Sequence, residues 1–493
     1  MLRGRCTLLN WLVSTMSEKQ KYQRTEKSQA LLDKVETPKY DRQILIGLKK
    51  FLNGTAPEDM QSLYSAEELT VLQGLQGTDK DVEARMPVKI TRHYYELAKN
   101  SAPLQTLVKA SPSETWDLEG AADPGKQMAY SPIEGLIHKY ELGLIYVVST
   151  CSAHCRFCYR EELIARKTIT REDGTTAPKG MAQIPDLVHY IKEHNQIVKE
   201  NGGRHPDTGR EKLREILMSG GDPMVLNNKK LAEWFSSLGD VGIENIRIGT
   251  KELAFYPDRF DSTFFDMLDH FHEAYPGINL RFMVHFNHPD EFLQKDDQGE
   301  FIEDPDGGFV WVESTRRAVA ELARRNWINI ENQAPFIKGI NNDPVAIRIM
   351  QRELKRHGVE NHYFFCGRDI IGHRAFNLSI EEAWNLLNES QKGLSGVESH
   401  AKLSITHYLG KTEVVSVTNE PMPGVPGGEN GVVIFKLLRG AADAHNKGQV
   451  AIVGRNPEAI WFSGYEDRVI YDEPGLFTES MQATSSVKLA VNS

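Results

Sequence analysis

Through the middle of the chain, short β-branched and aromatic runs alternate with longer stretches whose apolar positions recur every three or four residues. A period near two reads as a strand and one near 3.6 as a helix, so regular alternation of the two predicts a parallel α/β sheet. The pattern places strands at 144–148, 214–218, 245–249, 280–285, 327–330 and 362–366, with helices at 226–238, 314–325 and 346–357. Upstream, 17–124 is charged and mostly helical in pattern. Ser65 with Glu68 resembles a capping box, Leu69, Val71, Leu72 and Leu75 lie on the following turns, and a further helix is expected from Thr91. Beyond residue 394 come short β-branched strands at 403–406, 414–417, 431–435 and 451–453, and 478–493 reads as disordered. Three regions result: a helical amino-terminal arm over 1–125, an α/β region over 126–393 and a strand-rich carboxyl-terminal region over 394–493.

Within this frame the most informative residues are Cys151, Cys155 and Cys158, in the run TCSAHCRFCY at 150–159. A C-x3-C-x2-C triplet puts three thiolates on one short loop, which suits one corner of an iron–sulfur cluster. A four-iron cube normally takes four thiolates, so three leave one iron open to a small molecule. Only Cys6 and Cys366 remain, and five cysteines in 493 residues make no disulfide framework. The alternatives are a zinc site with His154 or a distant fourth ligand, and buried inert thiols. Zinc sites usually come as two separated pairs, and Arg156 and His154 make the loop polar.

Composition changes this picture little. With 40% hydrophobic and 26% charged residues the chain reads as a soluble globular protein, and its net charge of −10 argues against a nucleic-acid partner. No run of 18 apolar residues suggests a membrane span. Residues 1–13 pair basic positions with a brief apolar stretch that Asn10 interrupts. An overextended start, with Met16 as the true one, is favoured over export, and a cytoplasmic location is expected.

The cysteine spacing is that of the radical SAM enzymes, and further segments extend the resemblance. Ser219, Gly220, Gly221 and Asp222 close a short apolar run and resemble the family segment that holds the amino group of S-adenosylmethionine. RIGT at 247–250, HFNHP at 285–289, Asn332 with Gln333, KGINND at 338–343 and GLIHKY at 135–140 together resemble the lysine 2,3-aminomutase family. The similarity runs from about 90 to 430, with 167–211 and 295–308 as extra stretches that read as surface insertions or a lid. The resemblance implies a partial (β/α)6 TIM-type barrel of the radical SAM type. Its active site would lie at the strands' carboxyl ends, where the cysteine loop, Gly220, Gly221 and His285 fall.

It also implies a [4Fe–4S] cluster on Cys151, Cys155 and Cys158, with S-adenosylmethionine held by Ser219, Gly220, Gly221, Asp222, His285 and Gln333. A small reductant such as flavodoxin or ferredoxin would supply the electron, and the carboxyl-terminal region would complete the site and an oligomer interface. The reaction implied is abstraction of hydrogen from an amino acid and a 2,3 shift of its amino group, with Arg160 on the α-carboxylate. Lysine-specific members place two aspartates against the side-chain ammonium. The matching positions here are Arg368, next to Asp369, and Asn419, which resembles the glutamate-type pattern; a one-residue shift of the match restores Asp369.

Family members hold pyridoxal phosphate on a lysine that ends a proline- and glycine-rich run. The run at 423–431 contains no lysine, and Lys411 and Lys436 are the nearest, so covalent capture of that cofactor is unsupported by the sequence. A radical SAM reaction without pyridoxal phosphate, and an electron-transfer or structural cluster protein, stay open as alternatives.

Overall fold

The computed structural model describes residues 22–45, 63–71, 86–161, 168–170, 176–178 and 180–477, apart from 69, 118, 122 and 442–446. The expectations for 1–16 and 478–493, and for Leu69, Leu72 and Leu75, lie outside the described residues. Ser65 does cap a helix start: Glu68 N donates to Ser65 Oγ at 3.1 Å, and Ser65 N to Glu68 Oε2 at 2.8 Å.

The strands are β1 (Leu136–Ile137), β2 (Leu142–Val148), β3 (Thr168–Thr170), β4 (Thr176–Pro178), β5 (Glu215–Gly220), β6 (Asn245–Thr250) and β7 (Asn279–Val284). They continue with β8 (Ile328–Pro335), β9 (Val359–Phe365), β10 (Lys402–His407), β11 (Gly410–Val417), β12 (Val432–Gly440), β13 (Val450–Gly454) and β14 (Val469–Asp472). Twelve form one open sheet in the order β1-β2-β5-β6-β7-β8-β9-β10-β11-β12-β13-β14, and β3 and β4 pair separately. All six barrel strands read from the hydrophobic pattern are present as the parallel run β2, β5, β6, β7, β8 and β9.

A seventh parallel strand, β10, follows β9 and was expected only as part of the strand-rich tail. Helix Ile380–Gln391 makes this last crossover possible. A capping box of Ser379 and Glu382 starts it, and Leu386 and Leu387 lie buried along it. From β10 onward every pairing is antiparallel, so the sheet continues without a break into the carboxyl-terminal region.

The extra stretch 167–211 is not a surface insertion throughout. Helix Ile184–Glu200 is the crossover between β2 and β5 and buries Leu187, Val188, Ile191 and Val198 at a helical spacing. Its outer face carries Lys192, Glu193, Lys199 and Glu200, and that charge density hid the apolar stripe. By contrast 295–308 is largely exposed, a flap closed by bridges Lys295↔Phe301 and Glu303↔Phe309.

Side chains two apart on a strand share a face, and this periodicity builds the interior. Ile216, Met218, Ile246, Ile248, Leu280 and Phe282 are buried on one face of the sheet. The alternate positions carry charge at the strands' amino ends, where Arg247 meets Glu215 at 2.8 Å and Arg281 meets Glu331 at 2.5 Å. Two residues further along each strand, Leu217, Gly249, Met283 and Gln333 line a cavity. A paired, charged floor therefore lies below a cavity at the carboxyl ends. No helix among the described residues is long and apolar enough to cross a membrane.

Candidate active site

Where β2 ends, the chain turns across the cavity mouth and delivers Cys151, Cys155 and Cys158 to its wall. The cavity holds about 320 Å³ and is also lined by Arg160, Ser219, Gly221, Asp222, Gly249, Thr250, His285, Gln333 and Arg368. The glycine pair ending β5 serves this loop's backbone. Gly221 N donates to Val148 O at 2.6 Å and Asp222 N to Thr150 O at 2.9 Å. A Cβ on Gly220, whose φ is +116°, would stand 2.2 Å from Val148 O, and one on Gly221 would stand 2.1 Å from Thr150 O. Gly220 itself is not on the cavity wall; Gly221 is.

The amino-terminal arm clamps the loop from the other side. His154 N donates to Lys89 O at 2.9 Å, Arg156 N to Leu107 O at 2.8 Å, and Lys89 Nζ to Cys151 O at 2.5 Å. The Arg156 guanidinium, between the second and third cysteines, forks onto Glu114 through Nε at 3.0 Å and Nη2, while Nη1 donates to Met86 O at 2.9 Å. Both members of this pair are buried. Removing one member of a buried ion pair strands the other's charge and costs about 3–5 kcal/mol. Glu114→Ala is expected to lose stability on that scale in chemical denaturation; a loss within about 0.5 kcal/mol, the range of neutral surface changes, would contradict the clamp.

Burial pushes all three thiols above their ordinary range, and the neighbouring thiols add to it for Cys151 and Cys155. Thiolates there need a compensating positive charge of the kind a metal cluster brings. Among the described residues no group of three His, Cys, Asp or Glu side chains is placed to hold a metal ion. His154 turns Nδ1 to Pro87 O at 2.8 Å.

Around the three thiols the polar atoms divide into engaged and unengaged. Burial pushes the Asp222 carboxyl up, and its oxygens accept from Met224 N at 2.9 Å, Lys251 N at 2.7 Å and Thr250 Oγ1 at 2.8 Å. Asp222 thus braces the ends of β5 and β6. His285 is the opposite case. Burial, then the nearby Lys251 and Arg160, hold its pKa well below the usual value, and its buried Nε2 has no partner among the described residues. Arg160 Nε is likewise buried without a partner, although Nη1 donates to Ser219 Oγ. Unpartnered buried polar atoms are costly unless a ligand completes them. Three thiols, a neutral imidazole and a free guanidinium edge on one wall fit a cluster with an amino-acid-like ligand.

The rest of the lining is largely apolar, with Leu142, Leu144, Phe255 and Ile337 among it, and Arg368, Lys139 and Lys411 are set into it. The Arg368 guanidinium stacks 4.2 Å from the Tyr159 ring, and both Nη atoms donate at 3.0 Å to Gln127 with its amide oxygen turned toward them. Lys139 and Lys411 also line the cavity, and burial lowers each to about 7, with the Arg368 charge adding for Lys139 and those of Arg439, Arg247 and Arg368 for Lys411. Asp369 does not enter: Arg374 occupies it through Nε at 2.8 Å and Nη2 at 3.1 Å. Asn419 does not either. It is exposed, and Arg455, anchored on Glu381 at 2.7 Å, holds its side chain at 2.9 Å. Lys436 is exposed on β12, away from the cavity, whereas Lys411 is inside it.

Several wall and support residues escaped the sequence reading. Lys139 lay within the quoted 135–140 segment, and its lysine between aromatic and apolar neighbours was the available signal. Lys251, Lys89 and Glu114 act from segments with no local signature.

No family model matches the chain. Among curated proteins it is 28% identical over 387 residues to a protein of Aquifex aeolicus (strain VF5) provisionally named L-lysine 2,3-aminomutase, covering 77% of this chain and 88% of that one. The glutamate 2,3-aminomutase of Clostridioides difficile (strain 630) is 26% identical over 297 residues, 60% of this chain and 58% of that one. The L-lysine 2,3-aminomutase of Acetoanaerobium sticklandii is 25% identical over 395 residues, 79% of this chain and 76% of that one. Over much of its length the chain is similar to lysine and glutamate 2,3-aminomutases, as a divergent relative of the radical SAM aminomutases. It is an enzyme, and the family implies a [4Fe–4S] cluster and S-adenosylmethionine.

Proposed function

We propose that this chain is a radical SAM 2,3-aminomutase acting on an amino acid whose side chain is anionic. The reading is carried by one cavity that gathers Cys151, Cys155 and Cys158 with Arg368, Lys139 and Lys411, none of which has a carboxylate partner among the described residues. Bound at the three cysteines, a [4Fe–4S] cluster and S-adenosylmethionine supply a 5′-deoxyadenosyl radical after one-electron reduction. Gln333, Gly221 and the neutral His285 Nε2 offer groups to that ligand, and Asp222 keeps Thr250 and the Lys251 backbone in place behind it.

Arg160 is suited to the substrate's α-carboxylate and Arg368 to its side-chain carboxylate, because a guanidinium binds a carboxylate through two parallel hydrogen bonds. With Lys139 and Lys411 nearby and Asp222 already saturated, a substrate ammonium at this wall would meet repulsion.

The test is anaerobic reconstitution with iron, sulfide, S-adenosylmethionine and dithionite, followed by β-deuterated amino acids. Label from glutamate is expected in 5′-deoxyadenosine; label from lysine alone would contradict the anionic reading. Arg368→Ala should raise the half-saturating glutamate concentration at least about 30-fold, since truncating one partner of a desolvated charge pair costs about 2 kcal/mol or more. An unchanged value would remove Arg368 from the substrate site.

A further inference from the structure

The loop that leads from helix Ile184–Glu200 into β5 turns Arg210 inward among aromatic rings. Among the described residues no hydrogen bond or ion pair reaches its guanidinium, and its Nε is buried without a partner. Burial lowers its pKa, and only the Tyr190 and Tyr130 hydroxyls act in the opposite direction. The acidic residues of these segments are turned elsewhere: Glu193 pairs with His189 and Glu211 with Arg204, each at 3.7 Å, and Asp207 is exposed. A partly buried guanidinium without an anion is unfavourable.

The groups around Arg210 are donors as well. Burial, then the charges of Arg210, His194 and His205, lower His138 to about 2, so its ring is neutral. Its Nδ1 meets the Tyr190 hydroxyl at 2.7 Å, and its buried Nε2, on the far side of the ring, has no partner among the described residues. A hydroxyl donating to Nδ1 leaves the ring's proton on Nε2. His194 meets His138 edge-on at 4.8 Å and stacks on His205 at 5.2 Å, and its Nε2 donates to Glu211 O at 3.0 Å. Bonds from His205 N to Arg210 O and from Gly209 N to His205 O, both 2.8 Å, close the loop, and within it Thr208 Oγ1 is buried without a partner. Arg210 Nε, His138 Nε2 and Thr208 Oγ1 are three unengaged donors with no acceptor among them.

We propose that Arg210, His138 and Thr208 form a second binding site, outside the active-site cavity, for a phosphate group, either inorganic phosphate or the phosphate of a small ester. A tetrahedral oxyanion accepts from several directions at once, which suits donors delivered by a loop and by the end of β1, and its charge answers the guanidinium. The site lies one ring behind the cavity wall: Arg210 stands 6.0 Å from the Tyr130 ring, and Lys139, which lines the cavity, 5.1 Å from that same ring. Its loop belongs to 167–211, the stretch that the aminomutase resemblance leaves over. The inference does not depend on what the cavity binds.

Full-length, cluster-reconstituted protein is dialysed to equilibrium against labelled inorganic phosphate and, in parallel, against labelled glucose 6-phosphate, at fixed ionic strength in chloride. A saturable site is expected that weakens at least about tenfold in Arg210→Gln, because the guanidinium supplies the charge-assisted bonds, and is unchanged in Arg368→Ala. The tighter of the two ligands identifies free or esterified phosphate as the source. Equal binding by wild type and Arg210→Gln, loss in Arg368→Ala alone, or no saturable binding of either ligand would overturn the assignment. Hydrogen exchange of the wild type locates the site even if the Arg210 variant folds poorly. Phosphate should slow exchange in peptides spanning 201–213; slowing confined to 149–160 would put the phosphate in the cavity and end the proposal.

Discussion

Replacing Cys155 with serine is expected to leave the reconstituted protein without its cluster and without detectable 5′-deoxyadenosine. A hydroxyl is a poor substitute for thiolate, and the three cysteines on the loop are all that the account assigns to iron. The loss should exceed the roughly 10- to 100-fold effect that follows from disturbing a hydrogen bond around a metal ligand. Cys366 supplies the control, because it is a fourth buried thiol on the same cavity wall, just past β9. Cys366→Ser should keep its iron and its S-adenosylmethionine cleavage. If Cys366→Ser loses the cluster as fully as Cys155→Ser, all four iron corners are protein-bound and the open-iron chemistry fails.

Gly221→Ala should be nearly as damaging, for a steric reason. The new Cβ would lie 2.1 Å from Thr150 O, 2.5 Å from its carbonyl carbon and 2.6 Å from its nitrogen, all backbone atoms that no side-chain rotation can clear. Either β5 or the cysteine loop must move, and overpacking of this kind costs about 3 kcal/mol or more. Because the bonds from Gly221 N to Val148 O and Asp222 N to Thr150 O seat the loop, iron retention should fall along with stability. Gly277→Ala is the matched control, since nothing lies within 4 Å of its Cβ position. Denaturant titration and iron content, measured on both variants, check the claim; equal behaviour of the two would refute it.

The cysteine triplet was legible because its chemistry is packed into eight consecutive residues, and the six barrel strands because period two and period 3.6 alternate cleanly. What escaped was set by distance along the chain. The parallel pairing of β10 depends on helix Ile380–Gln391, whose Ser379–Glu382 capping box was present in the sequence and overlooked. Helix Ile184–Glu200 was hidden by its charged outer face.

Lys89 and Glu114 reach the cysteine loop from 62 and 42 residues away, and no local pattern announces such a contact. Asn419 misled for the converse reason: its position along the chain matched the family, but Arg455 holds it outside the cavity. The Gly220–Gly221 pair was expected to help hold S-adenosylmethionine, and its tighter constraint proves to be the neighbouring backbone of Val148 and Thr150.

The central claim is an iron–sulfur cube with one corner free for S-adenosylmethionine. Electron paramagnetic resonance of the anaerobically reconstituted, dithionite-reduced protein, recorded without and then with S-adenosylmethionine, tests it most directly. The account predicts a reduced [4Fe–4S] signal that changes on addition of S-adenosylmethionine, with 5′-deoxyadenosine appearing in the same sample. A signal indifferent to S-adenosylmethionine, or no cluster at all in protein with Cys151, Cys155 and Cys158 intact, would contradict it.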